Sequence, residues 1–106
     1  MRRVVVTGIG LLSSIGSGKD ETWSNLLKGK SGIKKIENFN TNEFSCKIAG
    51  YISNDSKNNN YFDIESYLNS KEIKRNDRFI QYGIVAAKMA VEDAGIENLS
   101  DEDKLK

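Results

Sequence analysis

Apolar positions along the chain change period several times, and each change marks a different element. Near the N-terminus Val4, Val5 and Val6 form a continuous β-branched run. Such a run fits a strand covered on both faces, so residues 3–9 are predicted as a strand, ended or bent by Gly8 and Gly10. Leu11 and Leu12 lead into a loop over residues 13–18. Trp23, Leu26 and Leu27 recur at helical spacing, which predicts a helix over residues 19–28. Ser17 with Asp20 makes a candidate capping box for it, and Gly29 stands where a glycine ends a helix. Residues 33–36 fit a short strand. Residues 46–52 alternate, with Cys46, Ile48, Gly50 and Ile52 on one side and Lys47, Ala49 and Tyr51 on the other. That is the period of a strand with one buried face.

The polar, Asn-rich residues 53–60 read as an exposed loop. Residues 64–75 predict a short helix with a basic end. Asn76 or Asp77 is placed to cap a second helix over residues 78–94, with Gly95 after it. This helix is apolar almost all round, from Phe79 and Ile80 through Ile84, Val85 and Met89 to Ala94. A helix of that kind is usually buried inside something larger. Residues 96–106 are charged and read as a loop or fraying tail. The alternation of strands and helices places the chain in the α/β class.

Composition narrows the chemistry. The 106 residues suffice for one small domain, and a hydrophobic share of 38% with 29% charged is ordinary for a globular protein. The net charge of +1 leaves any electrostatic recognition to local clusters. A single cysteine, Cys46, excludes an internal disulfide and fits a reducing compartment. No apolar run reaches the length of a signal peptide core or a membrane span, so a cytoplasmic protein is expected. Histidine is absent. Zinc sites and cysteine–histidine chemistry within the chain are therefore not expected, and no reading of the sequence requires a cofactor or a metal.

Four motifs invite chemistry. Gly8-Ile9-Gly10 follows a predicted strand, as in a dinucleotide-binding turn. The third small residue would be Ser13, the helix begins too late, and no acidic residue stands about 20 positions on. Glycines at a tight strand exit explain it better. Gly29-Lys30-Ser31 imitates a phosphate loop, yet it follows a helix, whose C-terminal dipole repels phosphate. Cys46 has no base to activate it and is expected to be a partly buried structural thiol. Lys71, Lys74, Arg75 and Arg78 fall at i, i+3, i+4 and i+7, which makes one basic face on a continuous helix. If Asp77 begins a new helix, Arg78 leaves the set. A solvated face and a dock for an acidic partner both fit the cluster. Trp23, Tyr51 and Phe79 are expected in a core or an interface. Nothing in their spacing suggests a platform for nucleic acid.

Several of these segments, taken in order, resemble the elongating 3-oxoacyl-acyl-carrier-protein synthases. The likeness begins in Arg2-Arg3-Val4-Val5-Val6-Thr7-Gly8-Ile9-Gly10 and continues through Thr22-Trp23, Leu26-Leu27, Gly29, Ser31-Gly32-Ile33 and Ala49-Gly50. It runs on through Phe79-Ile80-Gln81-Tyr82-Gly83-Ile84-Val85-Ala86-Ala87, which looks most like the second type of these enzymes, and closes in Asp93-Ala94-Gly95-Ile96. The resemblance implies that residues 1–106 are the N-terminal part of a thiolase-like α/β/α/β/α fold. It implies a decarboxylative condensation of an acyl-enzyme with malonyl-acyl-carrier protein, in a homodimer whose partners are acyl-carrier protein and acyl and malonyl thioesters. No nucleic acid or membrane partner is implied.

In that family an active-site cysteine carries the acyl group, two histidines stabilise the enolate and a lysine supports the site. All of these lie further along the family's sequence. Ser45-Cys46-Lys47 does not match the family's Ala-Cys-small-residue turn. This chain is thus expected to correspond to roughly the first quarter of a family subunit, with no catalytic residue of its own. Lys71, Lys74 and Arg75 match the basic patch with which relatives help dock the carrier protein. The alternative is a non-catalytic module that binds carrier protein or associates with itself.

Overall fold

The computed structural model describes residues 1–53 and 62–104. They divide into two compact units, one of Leu12–Asp63 and one of Met1–Leu11 with Ile64–Lys106. The Asn-rich stretch expected to be a loop lies, from residue 54 on, outside the described residues.

The unit Leu12–Asp63 opens with a minimal hairpin, β1 (Leu12–Ser13) against β2 (Gly16–Ser17), paired Leu12 to Ser17 and Ser13 to Gly16. The Ser13 hydroxyl donates to the Gly16 carbonyl at 3.0 Å and accepts the Gly16 N–H at 3.2 Å, which ties the turn. Helix α1 (Lys19–Leu27) follows at once. Its N-cap is Gly18, at φ 87°, and no side chain caps it. The capping box expected from Ser17 and Asp20 does not form, because Ser17 sits inside β2, one residue too early. Asp20 and Glu21 still place negative charge at the positive end of the helix. At the other end Gly29 has φ +69°, with its N–H on the Leu26 carbonyl and that of Lys30 on the Asn25 carbonyl, both at 3.0 Å. Those two bonds define a Schellman close. A Cβ at Gly29 would meet nothing within 4 Å, so the cost of Gly29→Ala is conformational alone. The change should lower stability by about 1 kcal/mol, read from urea unfolding.

Trp23, expected in a core or an interface, is exposed, as are Leu26 and Leu27 on the same apolar face. The buried residue is Asn25, whose side-chain amide donates to the Ile15 carbonyl and so fastens the helix to the hairpin turn. Strand β3 (Ile33–Lys35) then pairs antiparallel with β4 (Ile48–Gly50), Lys34 opposite Ala49. The strand expected over residues 46–52 is confined to Ile48–Gly50, and Lys47 is exposed where strict alternation would group it with Ala49. Cys46, Ile48 and Gly50 are exposed, while Lys34 and Ala49 are half-buried. Lys34 covers the Tyr51 ring at 4.4 Å, a cation–π contact that favours this orientation. Between the strands Phe39 and Phe44 meet edge to face at 5.9 Å around the buried Thr41. The Phe62 N–H donates to the Ser53 carbonyl at 2.9 Å.

In the other unit residues 3–9 do not form the expected strand. Val4, Val5 and Val6 are exposed. A strand needs a neighbour to complete its ladder, and among the described residues none lies beside this segment. It is held by a helix instead, α3 (Arg78–Ala94). The Ile9 N–H donates to Asp93 Oδ2 at 2.9 Å. A Cβ added to Gly8 would strike the Ala90 carbonyl, and one on Gly10 the Ala86 carbonyl. The two glycines permit direct contact between the N-terminal backbone and the helix backbone, over the small residues Ala86, Ala90 and Ala94.

The helix expected over residues 64–75 is split. Ile64–Ser66 is a single 3-10 turn, and α2 (Ser70–Arg75) starts afresh. Asn69 causes the break. Its side chain accepts the Glu72 N–H at 2.9 Å, and Glu72 reaches back to the Asn69 N–H at 3.4 Å, a capping box that requires extended backbone at Asn69. Asn76 is extended too, and Asp77 leads into α3. Gly95 closes α3 in the left-handed region at φ 69°, as expected. The tail does not fray at once. Ile96–Asn98 forms a 3-10 turn and Asp101–Lys104 a helical turn, α4, whose Asp103 N–H is accepted by the Ser100 hydroxyl at 3.2 Å. Within this unit Leu68 and Val85 are the buried apolar side chains among the described residues.

Candidate functional site

Helix α2 carries the one cluster of like charge that the sequence singled out. Lys71, Lys74 and Arg75 are all exposed, while Glu72 and Ile73 are half-buried. The i, i+3, i+4 spacing therefore sets the three cations on the solvent side. Arg78 does not continue that face, because the chain extends at Asn76 (φ −119°, ψ 143°) and Arg78 begins α3. No ion pair among the described residues engages Lys71, Lys74 or Arg75. Lys74 and Arg75 lie in the last turn of α2, where positive charge also offsets the helix dipole.

The last turn is held from two sides. Asn76 Nδ2 donates to the Glu72 carbonyl at 3.0 Å. Gln81, buried on α3, donates from Nε2 to the carbonyls of Ile73 at 3.0 Å and Asn76 at 2.7 Å. Lys88 adds a bond from its ammonium to the Tyr67 carbonyl at 2.9 Å. Sequence reasoning found the cations and missed Gln81. A lone glutamine on a nearly wholly apolar helix, five residues after Asn76, was the available signal.

Such a surface supplies fixed positive charge and hydrogen-bond donors. It can attract carboxylates or phosphates, but it holds no nucleophile and no base. Cys46 is exposed rather than partly buried, and its thiol lies 3.3 Å from the Ile48 carbonyl. Gly8 and Gly10 face the side of a helix, not a helix N-terminus, and residues 29–31 follow a helix C-terminus. Among the described residues no cluster of three potential metal ligands occurs, and no helix is long and apolar enough to cross a membrane. An open depression lined by Asn40, Asn42, Glu43 and Phe44 offers a single carboxylate.

Comparison with known proteins accounts for almost the whole chain. The family model for the beta-ketoacyl synthase N-terminal domain matches residues 1–105. The chain is 46% identical over 96 residues to the 3-oxoacyl-[acyl-carrier-protein] synthase 2 of Vibrio cholerae, covering 91% of this chain and 22% of that protein. It is 46% identical over 103 residues to the protein of the same name from Staphylococcus aureus strain COL, covering 94% of this chain and 23% of the relative. Among solved structures, the ishigamide ketosynthase/chain length factor superposes with a TM-score of 0.76 at 35% identity, over 96% of this chain and 23% of the other. The fold is thus the N-terminal part of the thiolase-like α/β architecture that the resemblance implied. The chain spans less than a quarter of the length of these relatives.

Proposed function

The chain belongs to the beta-ketoacyl synthase family, and from that premise we propose that it serves as the N-terminal segment of a condensing enzyme of fatty-acid elongation. The observation that carries the proposal is the match of residues 1–105 to the family's N-terminal domain. The reaction is a decarboxylative Claisen condensation. An acyl group passes from a thioester to an enzyme cysteine. Malonyl-acyl-carrier protein loses carbon dioxide, and the resulting carbanion attacks the acyl thioester. The new carbon–carbon bond forms as the cysteine thiolate leaves, so the product is a 3-oxoacyl-carrier protein two carbons longer.

The sequence has no histidine to stabilise the enolate, and Cys46 lies in Ser-Cys-Lys rather than the family's nucleophile turn. Residues 1–106 are therefore proposed to form part of one condensing-enzyme domain in a cytoplasmic homodimer and to contribute structure and carrier-protein docking rather than bond-making. The docking residues are Lys71, Lys74 and Arg75, whose exposed charges, unpaired among the described residues, suit an acidic carrier protein.

Incubated with an acyl thioester and malonyl-acyl-carrier protein, the purified 106-residue chain should release no carbon dioxide and form no 3-oxoacyl product. Measurable turnover would refute the division of labour. The exposed Val4, Val5, Val6 and Phe79 favour a second reading, a non-catalytic module that associates with itself. Light scattering on the purified chain tests this second reading, and a monomer excludes it.

A further inference from the structure

Helix α2 is six residues long, too short to persist without help from its ends. Its N-terminus has a reciprocal capping box. Its C-terminus, where carbonyls run out of helical partners, depends on side-chain donors. Asn76 takes the Glu72 carbonyl from α2's own end. Gln81 takes Ile73 and Asn76 from α3, and it is 8% exposed, so its amide is enclosed and both Nε2 protons are used. Lys74 and Arg75 lie on the turn between those anchored carbonyls. Lys71 lies one turn earlier.

We infer that Gln81 is a positioning residue for docking: its paired hydrogen bonds to Ile73 and Asn76 hold the last turn of α2 against α3, so that Lys71, Lys74 and Arg75 meet an acidic carrier protein as a fixed face. The inference rests on the docking reading above. It separates two properties of the cluster. Long-range attraction depends on the charges and sets the association rate and its salt dependence. The lifetime of the complex depends on how little ordering the face still needs once contact is made. Gln81 acts on the second and leaves the first alone.

The test is Gln81→Met, which keeps the apolar stem and removes both donors, with Asn76→Ala as a second variant that removes one donor from the same turn. Binding of acyl-carrier protein is followed by surface plasmon resonance, and amide hydrogen exchange is followed along α2. The dissociation rate should rise about fivefold in Gln81→Met and less in Asn76→Ala, as the loss of ordinary hydrogen bonds predicts, with association rate and salt slope unchanged. Exchange at Lys74 and Arg75 should quicken. A purely structural role would lower the binding-competent fraction and leave the dissociation rate as in wild type, which overturns the inference. If Gln81→Met does not fold, an unchanged dissociation rate in Asn76→Ala overturns it. Wild-type binding that is absent, or that survives reversal of all three cations, overturns the docking reading itself and the inference with it. Unchanged exchange in α2 removes the positioning role even where docking stands.

Discussion

Changing Lys71, Lys74 and Arg75 together to Glu should weaken binding of acyl-carrier protein about a hundredfold or more, through a fall in association rate. All three side chains are exposed and form no ion pair among the described residues, so their charge is available to an incoming anion. A charge at the rim of an interface changes steering and partner choice, and placing like charges opposite one another costs several kcal/mol. Each reversal removes two units, so the net charge falls from +1 to −5. A loss of general attraction must therefore be separated from a loss at the site. Reversal of Lys34, Lys35 and Lys47, in and beside the β3–β4 pair, produces the same net charge and should weaken binding far less. Equal losses in the two triple variants would mean that net charge, not α2, governs recognition. The α2 variant should remain folded, because the three side chains are exposed and, among the described residues, no ion pair or side-chain hydrogen bond engages them. The lost match to the helix dipole costs about 0.3–1 kcal/mol.

Gly10→Ala should be the most destabilising small substitution in the chain, at about 3 kcal/mol. The added Cβ would collide with the Ala86 carbonyl oxygen, lie 2.5 Å from the Ala90 N and approach Met89 Cβ to 2.8 Å. The first two are helix backbone and cannot swing aside as a long side chain would. Either the N-terminal segment lifts from α3 or the helix bends. Gly83, on the same helix, is the internal control, since a Cβ there meets nothing within 4 Å. Gly83→Ala should instead stabilise by up to about 1 kcal/mol, the ordinary gain of alanine over glycine inside a helix. Urea unfolding of both variants checks the pair. A Gly10→Ala midpoint equal to wild type would show that the segment does not depend on this contact.

The parts of this architecture that were legible are those whose causes are local. Residues 78–94 and Gly95 announce a helix and its stop through periodicity and a left-handed glycine, and both are found. Gly29 likewise ends α1. Features that depend on distant residues were less legible. Val4, Val5 and Val6 have strand chemistry, but no strand lies beside them among the described residues, so the preference has nothing to pair with. Trp23, Leu26 and Leu27 mark a correct apolar stripe, yet this chain leaves it exposed. The spacing of Gly8 and Gly10, set beside Ala86, Ala90 and Ala94, held the clue to a helix contact. Within its own segment the same spacing fits a strand exit equally well, and the helix contact shows only when two small-residue faces far apart in the chain are set side by side. The same holds for the candidate site. The cations are visible as a pattern on one helix, whereas Gln81 acts across two.

The grip of α3 on the N-terminal segment also sets an order of events during synthesis. Ile9 and Asp93 are 84 positions apart, so the segment leaves the ribosome long before the helix that will hold it exists. At usual elongation rates that interval is on the order of ten seconds. For that time Val4, Val5 and Val6 form a short, uncharged, β-prone run with exposed backbone, the kind of segment that nucleates aggregation. Arg2 and Arg3, directly before it, set charge beside that run, the placement in which gatekeeper residues discourage association between chains.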